Sequence, residues 1–379
     1  MPPPWLEPRT AYIHVPFCAH HCGYCDFAVA AGQDHLIELY LDAIALELAG
    51  LREPRPVETL FIGGGTPTHL SENQLDRLLS SIRHWFPTTG EYSVESTPES
   101  LTKDKAALLA SFGVNRLSIG VQSFHPHLLT ALERRHTSDL IPQAIEAVRP
   151  HIANLSLDLI FAAPGSTPAT WAADLDAALA FEPQHLSTYG LTYEKGTPLW
   201  KDRERGRVHP VDEDGELAMY EHAMDRLAAA GYEHYEISNF ARAGFRCRHN
   251  ERYWANEAYF GVGVGAARYV NGTRELNTRD TKLYVKKVLA GESPTFQSET
   301  LEPRDRAFET IGTQLRRAAG IERERFALQT GFTLDELVGT RLARLREAAI
   351  LDDDGRSVRL TRRGKCLADA AIEELMKGS

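Results

Sequence analysis

Three cysteines near the start of the chain have the residue type and the spacing for metal chemistry. Cys18, Cys22 and Cys25 follow the pattern C-x3-C-x2-C within the stretch YIHVPFCAHHCGYCDF, residues 12–27. Thiolates are good ligands for soft metals and for iron–sulfur clusters. Three of them on one loop can hold three irons of a four-iron cluster, and the fourth iron then stays open. An open iron can chelate a small molecule through an amine and a carboxylate.

Two other interpretations of these cysteines are chemically allowed. A Cys3His zinc site would add one histidine from the same stretch, namely His14, His20 or His21. The cysteines could also be structural residues, although their crowding in one loop does not favour this. The chain has five cysteines, an odd number that is unlike a disulfide framework and suits a reducing compartment.

A second set of candidate residues lies farther along the chain. The run GGGTP, residues 63–67, lets the backbone approach a ligand without interference from Cβ atoms. Glu95 can accept from an amine, and Asp158 lies within the apolar segment LSLDLIF, where a carboxylate needs a partner such as a ribose hydroxyl or an arginine. Gln122 can donate and accept, and Arg134 can hold a carboxylate with two hydrogen bonds. Each of these four side chains, taken alone, is more often a solvated loop residue or part of a structural salt bridge.

Alternating strands and helices must position these residues. After a first strand at Tyr12, the apolar patterns predict strands over residues 57–62, 91–95, 116–121, 155–160 and 185–191. Helices are predicted over residues 34–48, 71–85, 102–112, 138–148, 168–181 and 212–230. Six strand–helix units in succession predict an α/β fold with a parallel sheet, either a partial (β/α) barrel or an open wound sheet.

Parallel strands bring their carboxyl ends to one rim, and α/β folds collect their chemistry there. Polar or glycine-rich features follow this rule at residues 63–66, Glu95, Gln122, Asp158 and Tyr189. We therefore expect these features to share one rim with the cysteine loop.

The pattern changes beyond residue 231. An irregular segment at residues 235–247 precedes the motif HNERYW at 249–254, and a glycine-rich segment, a hairpin, a helix and a linker are predicted at 260–266, 269–276, 278–289 and 292–302. Three helices to residue 349, a hairpin at 350–360 and a helix at 363–376 predict a winged-helix-like α+β module. The predicted domains are residues 1–231 for the barrel, 232–301 for an extension with the motif and linker, and 302–379 for the module.

The HNERYW motif has residue types that suit a haem group. His249 offers a neutral imidazole, which is a good iron ligand, and Cys247 is a weaker second candidate. Tyr253 and Trp254 supply flat apolar surface for a macrocycle. The alternative is that His249 and Asn250 only hydrogen-bond a loop while Trp254 covers the open edge of the barrel.

Composition excludes several classes of protein. The 379 residues carry a formal net charge of -10, which argues against a general nucleic-acid binder. Residues 302–379 hold 15 basic residues against 14 acidic ones, without the excess that a DNA-binding winged helix needs. The N-terminus shows no secretory signal and the chain has no run of 18 apolar residues. These features predict a soluble cytoplasmic protein without a transmembrane span.

The motifs together resemble the oxygen-independent coproporphyrinogen III oxidase family of radical S-adenosylmethionine (SAM) proteins. The stretch 12–27, GGGTP, the SVESTPE segment around Glu95, and GVQSF followed by Arg134 carry the resemblance, which covers residues 12–266 and extends to the C-terminal module. It implies a [4Fe-4S] cluster on Cys18, Cys22 and Cys25, with SAM at the open iron. It also implies SAM-pocket positions at Tyr12, Tyr24, Gly64, Gly65, Thr66, Glu95, Gln122, Arg134 and Asp158, and more loosely at Gly190.

Two departures from the oxidase point to the haem-chaperone branch of that family. The oxidase has a further cysteine at the position of Phe27, and it carries a longer segment than the eleven residues that precede Tyr12 here. The H-N-x-x-Y-W motif is typical of the chaperone branch. The resemblance implies a protein that binds haem as cargo and delivers it to acceptor proteins. It leaves open a homodimer, a peripheral contact with the membrane, and two enzymatic alternatives, namely coproporphyrinogen oxidation and methyl transfer.

Overall fold

The computed structural model describes residues 3–377, and six parallel strand–helix units form its larger part. The strands are β1 Thr10–Val15, β2 Thr59–Gly64, β3 Glu91–Ser96, β4 Arg116–Gln122, β5 Asn154–Phe161 and β6 His185–Gly190. The helices are α1 Ile37–Ala49, α2 Glu72–Trp85, α3 Lys103–Ser111, α4 Leu140–Val148, α5 Pro168–Ala180 and α6 Glu213–Ala229, with short helices at Pro126–Ala131 and Pro198–Glu204. The predicted elements agree with these to within a few residues.

Local sequence explains where these helices begin. Ser71 accepts a hydrogen bond from the Gln74 amide and forms a capping box at the start of α2. Thr102 and Asp212 cap α3 and α6 in the same way through their side-chain oxygens. The helices pack their apolar faces on strands that are almost fully buried, as in β2, where all six residues are buried.

Three short strands extend the sheet on both sides. They are β7 Glu233–His234, β8 Asn239–Ala241 and β9 Phe260–Val262. Within residues 3–377 the nine-stranded sheet has the order β9-β1-β2-β3-β4-β5-β6-β8-β7. β9 lies parallel to β1, whereas β8 lies antiparallel to β6. The partial-barrel prediction is confirmed. The helix Arg248–Trp254, which carries the HNERYW motif, lies between β8 and β9 along the chain.

The segment before the C-terminal module differs from the prediction. The hairpin forms as expected from Ala267–Val270 and Thr273–Asn277 and is followed by the helix Thr281–Leu289. The predicted linker at residues 292–302 instead contains the strand Thr295–Thr300, which pairs antiparallel with Thr273–Asn277. The sequence TFQSET contains two threonines and a phenylalanine, which are residue types that favour strands, and the free edge of the hairpin gives it a partner.

The C-terminal module has its own apolar core, with Phe308, Ile311, Phe326 and Leu375 among its buried residues. Its elements are the helices Pro303–Gln314, Arg323–Thr330, Leu334–Glu347, Arg362–Cys366 and Ala368–Met376 and the strands Ile321–Glu322, Leu351–Asp353 and Ser357–Leu360. The winged-helix-like α+β prediction is confirmed, although the last predicted helix is split at Leu367.

Buried polar contacts join this module to the barrel extension. Gln314 and Gln329 both donate from Nε2 to the carbonyl of Ala255, at 3.1 Å each. Glu257, which is 4% exposed, accepts from Arg252 and from Arg325 at 2.6 Å. None of the helices within residues 3–377 is both long enough and apolar enough to cross a membrane.

Candidate cluster and cofactor site

A cavity of about 550 Å³, here called the rim cavity, lies at the carboxyl ends of the parallel strands. Its wall contains Cys18, Cys22, Tyr24, Cys25, Gly64, Gly65, Thr66, Glu95, Gln122, Arg134, Asp158, Tyr189 and Gly190. The structure thus brings the cysteine loop and the strand-end residues together, in the arrangement that the topology predicts. The volume lies within the range of small-molecule sites.

Neighbouring groups hold the three cysteines of the loop in place. The Cys25 amide donates to the Cys22 carbonyl at 3.1 Å, which closes a tight turn. The Cys18 Sγ lies 3.5 Å from the Thr66 hydroxyl. Burial raises the pKa of Cys18 to about 12 and that of Cys25 to about 11. These thiols therefore ionise only when a metal takes the place of the proton.

The donor arrangement fits a cluster better than a single metal ion. Within residues 3–377 no group of three or more His, Cys, Asp or Glu side chains is placed to hold one metal ion, so the Cys3His zinc arrangement is not formed. His14 Nε2 instead bonds the Ala28 carbonyl at 2.8 Å, and His21 Nε2 bonds the Cys25 carbonyl at 2.9 Å. A cubane cluster distributes its irons over several corners, so its thiolates can stand farther apart than the ligands of one ion.

The glycine run is packed against the cysteine loop. The Gly65 amide donates to the Val15 carbonyl at 2.8 Å, and a Cβ at Gly65 would lie 2.7 Å from the Pro16 backbone. Gly64 has φ +105°, a conformation that favours glycine, and its amide donates to Glu95 Oε2 at 2.9 Å. The sequence predicts a close backbone approach to a ligand. The structure adds a second reason for glycine here, which is close approach to the neighbouring backbone.

Two carboxylates face the rim cavity from adjacent parts of the sheet. Burial raises the pKa of Glu95 to about 7 and also raises that of Asp158. Asp158 accepts from Ser118 Oγ at 2.9 Å and from Ser156 Oγ at 3.3 Å. Such carboxylates can accept from the amine and the ribose hydroxyls of a nucleoside ligand.

Gln122 and Arg134 complete the polar side of the wall. A register shift between β4 and β5 puts Gln122 at φ +65°, as in a β-bulge that turns a side chain toward a site. Arg134 donates from Nη1 to Cys22 Sγ at 3.4 Å and from Nη2 to the Gly120 carbonyl at 3.1 Å. The guanidinium therefore ties the cysteine loop to β4 and places a positive charge beside the thiolates.

Tyr12, His249 and Cys247 lie outside the wall of the rim cavity. Tyr12 bonds His14 Nδ1 at 3.1 Å and stacks on Phe61, so the structure places it inside the barrel, apart from the other predicted SAM-pocket residues.

The HNERYW helix is anchored inside the barrel by Glu91 at the start of β3. The Glu91 carboxylate accepts from the amides of Arg248 and His249 at 2.8 and 3.0 Å and from the Cys247 thiol at 3.5 Å. His249 is 2% exposed and sits against Thr59, at the amino end of β2. The structure therefore places His249 in the interior, at the amino end of the strands, and not in the wall of the rim cavity.

His249 nevertheless keeps one nitrogen available. The single hydrogen of the Thr59 hydroxyl is donated to Thr10 at 3.1 Å, so His249 Nδ1 donates its hydrogen to Thr59, at 3.2 Å. The buried Nε2 then carries a bare lone pair, with no hydrogen-bond partner among residues 3–377. Burial lowers the pKa of His249 to about 3, which keeps the imidazole neutral.

A second cavity of about 510 Å³ lies beside the HNERYW helix. It is lined by Tyr189, Glu236, Ser238, Asn239, Asn250, Tyr253, Trp254, Asn256, Tyr259, Arg274 and Thr313. The Tyr253 ring also contacts the His249 ring, with 4.9 Å between the centroids. Because Tyr189 lines both cavities, the second cavity adjoins the rim cavity at the end of β6.

Comparisons with known proteins place this geometry in a family. The model of the Radical SAM superfamily matches residues 12–178, and that of the HemN C-terminal domain matches residues 301–367. The chain is 37% identical to "Heme chaperone HemW" of Bacillus subtilis (strain 168), over 95% of this chain and 97% of that protein. The chain belongs to the HemW family of radical SAM proteins.

Other members of the HemW family and a solved structure agree with this assignment. "Heme chaperone HemW" of Escherichia coli (strain K12) is 31% identical over 97% of this chain and 98% of that protein. The solved structure of coproporphyrinogen III oxidase (HemN) from Escherichia coli has a TM-score of 0.86 and covers 98% of this chain and 91% of that chain. At 23% identity it shows that the two chains share a fold.

Sequence reasoning missed three buried groups that shape the interior of this HemW-family barrel. Glu91 anchors the HNERYW helix, and Glu236 lines the second cavity with a pKa that burial raises to about 7. Arg116, which is 2% exposed, puts a positive charge between Glu91 and Asp158. For Glu91 and Arg116 the available signal was a charged residue at the first position of an apolar strand, as in EYSV and RLSIGV.

Proposed function

We propose that this protein is a haem chaperone, which binds haem and passes it to acceptor proteins in the cytoplasm. The observation that carries the proposal is the neutral, buried His249 with its bare Nε2, next to an aromatic cavity. Full-length similarity to proteins named as haem chaperones supports the same function. An unpaired buried nitrogen is costly, and metal ligation is one way to satisfy it.

The rim cavity is proposed to hold a [4Fe-4S] cluster and SAM. Cys18, Cys22 and Cys25 would hold the cluster, because all three line one wall of the cavity. SAM would lie across the strand ends, near Gly64, Gly65, Thr66, Gln122 and Gly190, with its amine toward Glu95 and its ribose toward Asp158. When bound, the cluster supplies electrons to SAM, while the residues of the wall orient the ligand and exclude water.

Haem is proposed to enter through the second cavity. Tyr253 and Trp254 offer flat aromatic surface there, and the Tyr253 ring would move aside for the iron to reach His249. Cys247 is the weaker candidate ligand. Its thiol is fully buried and bonds Glu91, and burial raises its pKa to about 12.

Oxidation of coproporphyrinogen III is not expected of this chain. The reason for this expectation is Phe27, which is 65% exposed and occupies the position where the oxidase branch has a cysteine. Similarity to the oxidase structure concerns the fold and adds no argument about activity.

Two assays on reconstituted protein test the function together. Anaerobic haem titration is expected to give one haem per chain with a Soret band typical of an axial ligand. An assay with coproporphyrinogen III, reductant and SAM is expected to form no protoporphyrinogen IX. Stoichiometric protoporphyrinogen IX, or wild-type protein that binds no haem, would overturn the chaperone proposal in favour of an enzyme.

A further inference from the structure

A continuous chain of hydrogen bonds runs through the barrel interior from the rim cavity to the HNERYW helix. It connects Asp158, Ser156, His185, Tyr235 and Cys247 in that order. The donor–acceptor distances are 3.3 Å from Ser156 to Asp158, 2.8 Å for each contact of His185, and 3.3 Å from the Cys247 amide to the Tyr235 hydroxyl. One end of the chain lies in the wall of the rim cavity, and the other lies two residues before His249.

The chemistry of these groups gives the chain a direction. Ser156 donates its single hydrogen to the Asp158 carboxylate, so His185 Nδ1 must donate to Ser156 Oγ. His185 is fully buried, and burial lowers its pKa well below its usual value, so its other nitrogen is bare and accepts from Tyr235. The Tyr235 oxygen is then free to accept from the Cys247 amide. Every donor therefore points toward Asp158.

A second arrangement of the same atoms is available. If a ligand donates to Asp158 and takes over the oxygen that Ser156 uses, the Ser156 hydroxyl can turn to donate to His185 Nδ1. His185 then carries its single ring hydrogen on Nε2 instead of Nδ1 and donates it to the Tyr235 oxygen, so the Tyr235 hydroxyl hydrogen turns away from the ring. That oxygen now serves two donors, so the bond from the Cys247 amide changes. The tautomer of His185 thus provides two discrete states, which coupling between sites requires.

We propose that Ser156, His185 and Tyr235 form a relay through which a ligand on Asp158 acts on the segment Cys247–His249. The three relay residues are positioning residues, because none of them lines either cavity. Burial supports this role, since Ser156 and His185 are fully buried and Tyr235 is 3% exposed. Solvent therefore cannot replace the internal bonds, and the chain polarises as a unit. Occupancy of the rim cavity thereby adjusts the segment that would hold haem.

This inference rests on the proposed function where it takes SAM as the ligand of Asp158. Tyr235→Phe tests it, because the variant keeps the ring and removes the hydroxyl that links His185 to Cys247. Tyr232→Phe is the matched control, since Tyr232 is also buried and its hydroxyl donates to the Pro183 carbonyl, outside the relay. Two readouts follow the relay: hydrogen exchange of the Cys247 amide and the ¹⁵N shifts of the His185 ring, which report its tautomer.

SAM is expected to change exchange of the Cys247 amide by about fivefold in wild type and in Tyr232→Phe, the lower end of usual couplings between sites. In Tyr235→Phe the change is expected to vanish while SAM affinity stays as in the control. An equal SAM effect in Tyr235→Phe and Tyr232→Phe would overturn the relay. So would SAM binding to wild type without any change at Cys247 or in the His185 tautomer.

Asp158→Asn separates failure of the relay from failure of the SAM site. Without any ligand, this variant replaces an acceptor oxygen by an amide and is expected to shift the His185 ring signals and the exchange of the Cys247 amide. On the Tyr235→Phe background the Cys247 effect is expected to disappear. If SAM does not bind wild type, the proposed cofactor site fails while this arm still decides the relay. Unchanged His185 and Cys247 signals in Asp158→Asn would overturn the relay whatever SAM does.

Discussion

The two ends of the barrel use their polar groups differently. At the rim, Glu95, Asp158 and the three cysteines face a cavity of about 550 Å³ and have capacity left for a ligand. At the amino end, Glu91 is saturated by the Cys247–His249 segment, and His249 Nε2 is one of the buried atoms left without a hydrogen-bond partner among residues 3–377. The rim thus offers a ligand many polar groups at once, whereas the interior offers the bare imidazole nitrogen of His249.

The largest effect should come from removing a rim thiolate. Cys18→Ala is expected to abolish the iron–sulfur chromophore at roughly 400 nm, because the proposed cluster would lose one of its three cysteine ligands. Cys366→Ala is the control, since Cys366 lies in the C-terminal module, away from the loop. Full iron and sulfide content in reconstituted Cys18→Ala would show that the cluster assignment is wrong.

The second-largest effect should come from replacing Glu91, which binds the HNERYW helix in the interior. Glu91→Ala leaves two amides and a thiol without their acceptor and removes one of the carboxylates near Arg116, so we expect a loss of about 3–5 kcal/mol in the free energy of unfolding. Glu91→Gln retains one acceptor oxygen and should lose less. Urea denaturation measures both. If Glu91→Ala is as stable as wild type, the buried hydrogen bonds that Glu91 accepts do not stabilise the amino end of the barrel.

A substitution at the rim tests whether its glycines serve the ligand or the loop. Gly65→Val puts a branched side chain 2.7 Å from the Pro16 backbone and is expected to lower the free energy of unfolding by about 1–3 kcal/mol. Because Pro16 precedes the cysteine loop, cluster content should fall together with SAM affinity. Loss of SAM binding at full stability and full cluster content would mean that the glycine serves the ligand alone.

The smallest effect is a dependence of stability on pH. Burial lowers the pKa of His14 to about 4 and that of His249 to about 3, so the unfolded chain takes up protons that the folded chain refuses. The free energy of unfolding should therefore fall as pH drops from 6.5 toward 4. Glu95 and Glu236 act in the opposite sense, since their raised pKa values of about 7 favour the protonated folded state below pH 7.

Comparison of a His249 variant with a matched control isolates the contribution of His249 to this pH dependence. His249→Gln should reduce the slope of stability against pH by up to about 1.4 kcal/mol per pH unit. His151→Gln, which replaces a histidine at an exposed position, is the matched control. Equal slopes in the two variants would show that His249 is not held neutral by its surroundings.

Sequence patterns predicted the rim better than the interior for a physical reason. Residues such as Glu95 and Asp158 follow from local strand patterns and from the rule that parallel strands align their carboxyl ends. The burial of His249 depends on β9 pairing with β1 across more than 240 residues, which no local pattern reveals. Glu91 and Arg116 matter through contacts made on the inside of the closed sheet, and the strand Thr295–Thr300 formed because a hairpin edge was available.

Haem titration of His249→Ala tests the central claim most directly, because it removes the imidazole that is proposed to bind the iron. We expect haem affinity to fall by roughly tenfold to a hundredfold and the Soret band to move. Iron and sulfide content at Cys18, Cys22 and Cys25 should stay at the wild-type level, since these ligands lie at the other end of the barrel. His151→Ala should bind haem as wild type does. An unchanged Soret band and affinity in His249→Ala would show that His249 is structural and that haem binds elsewhere.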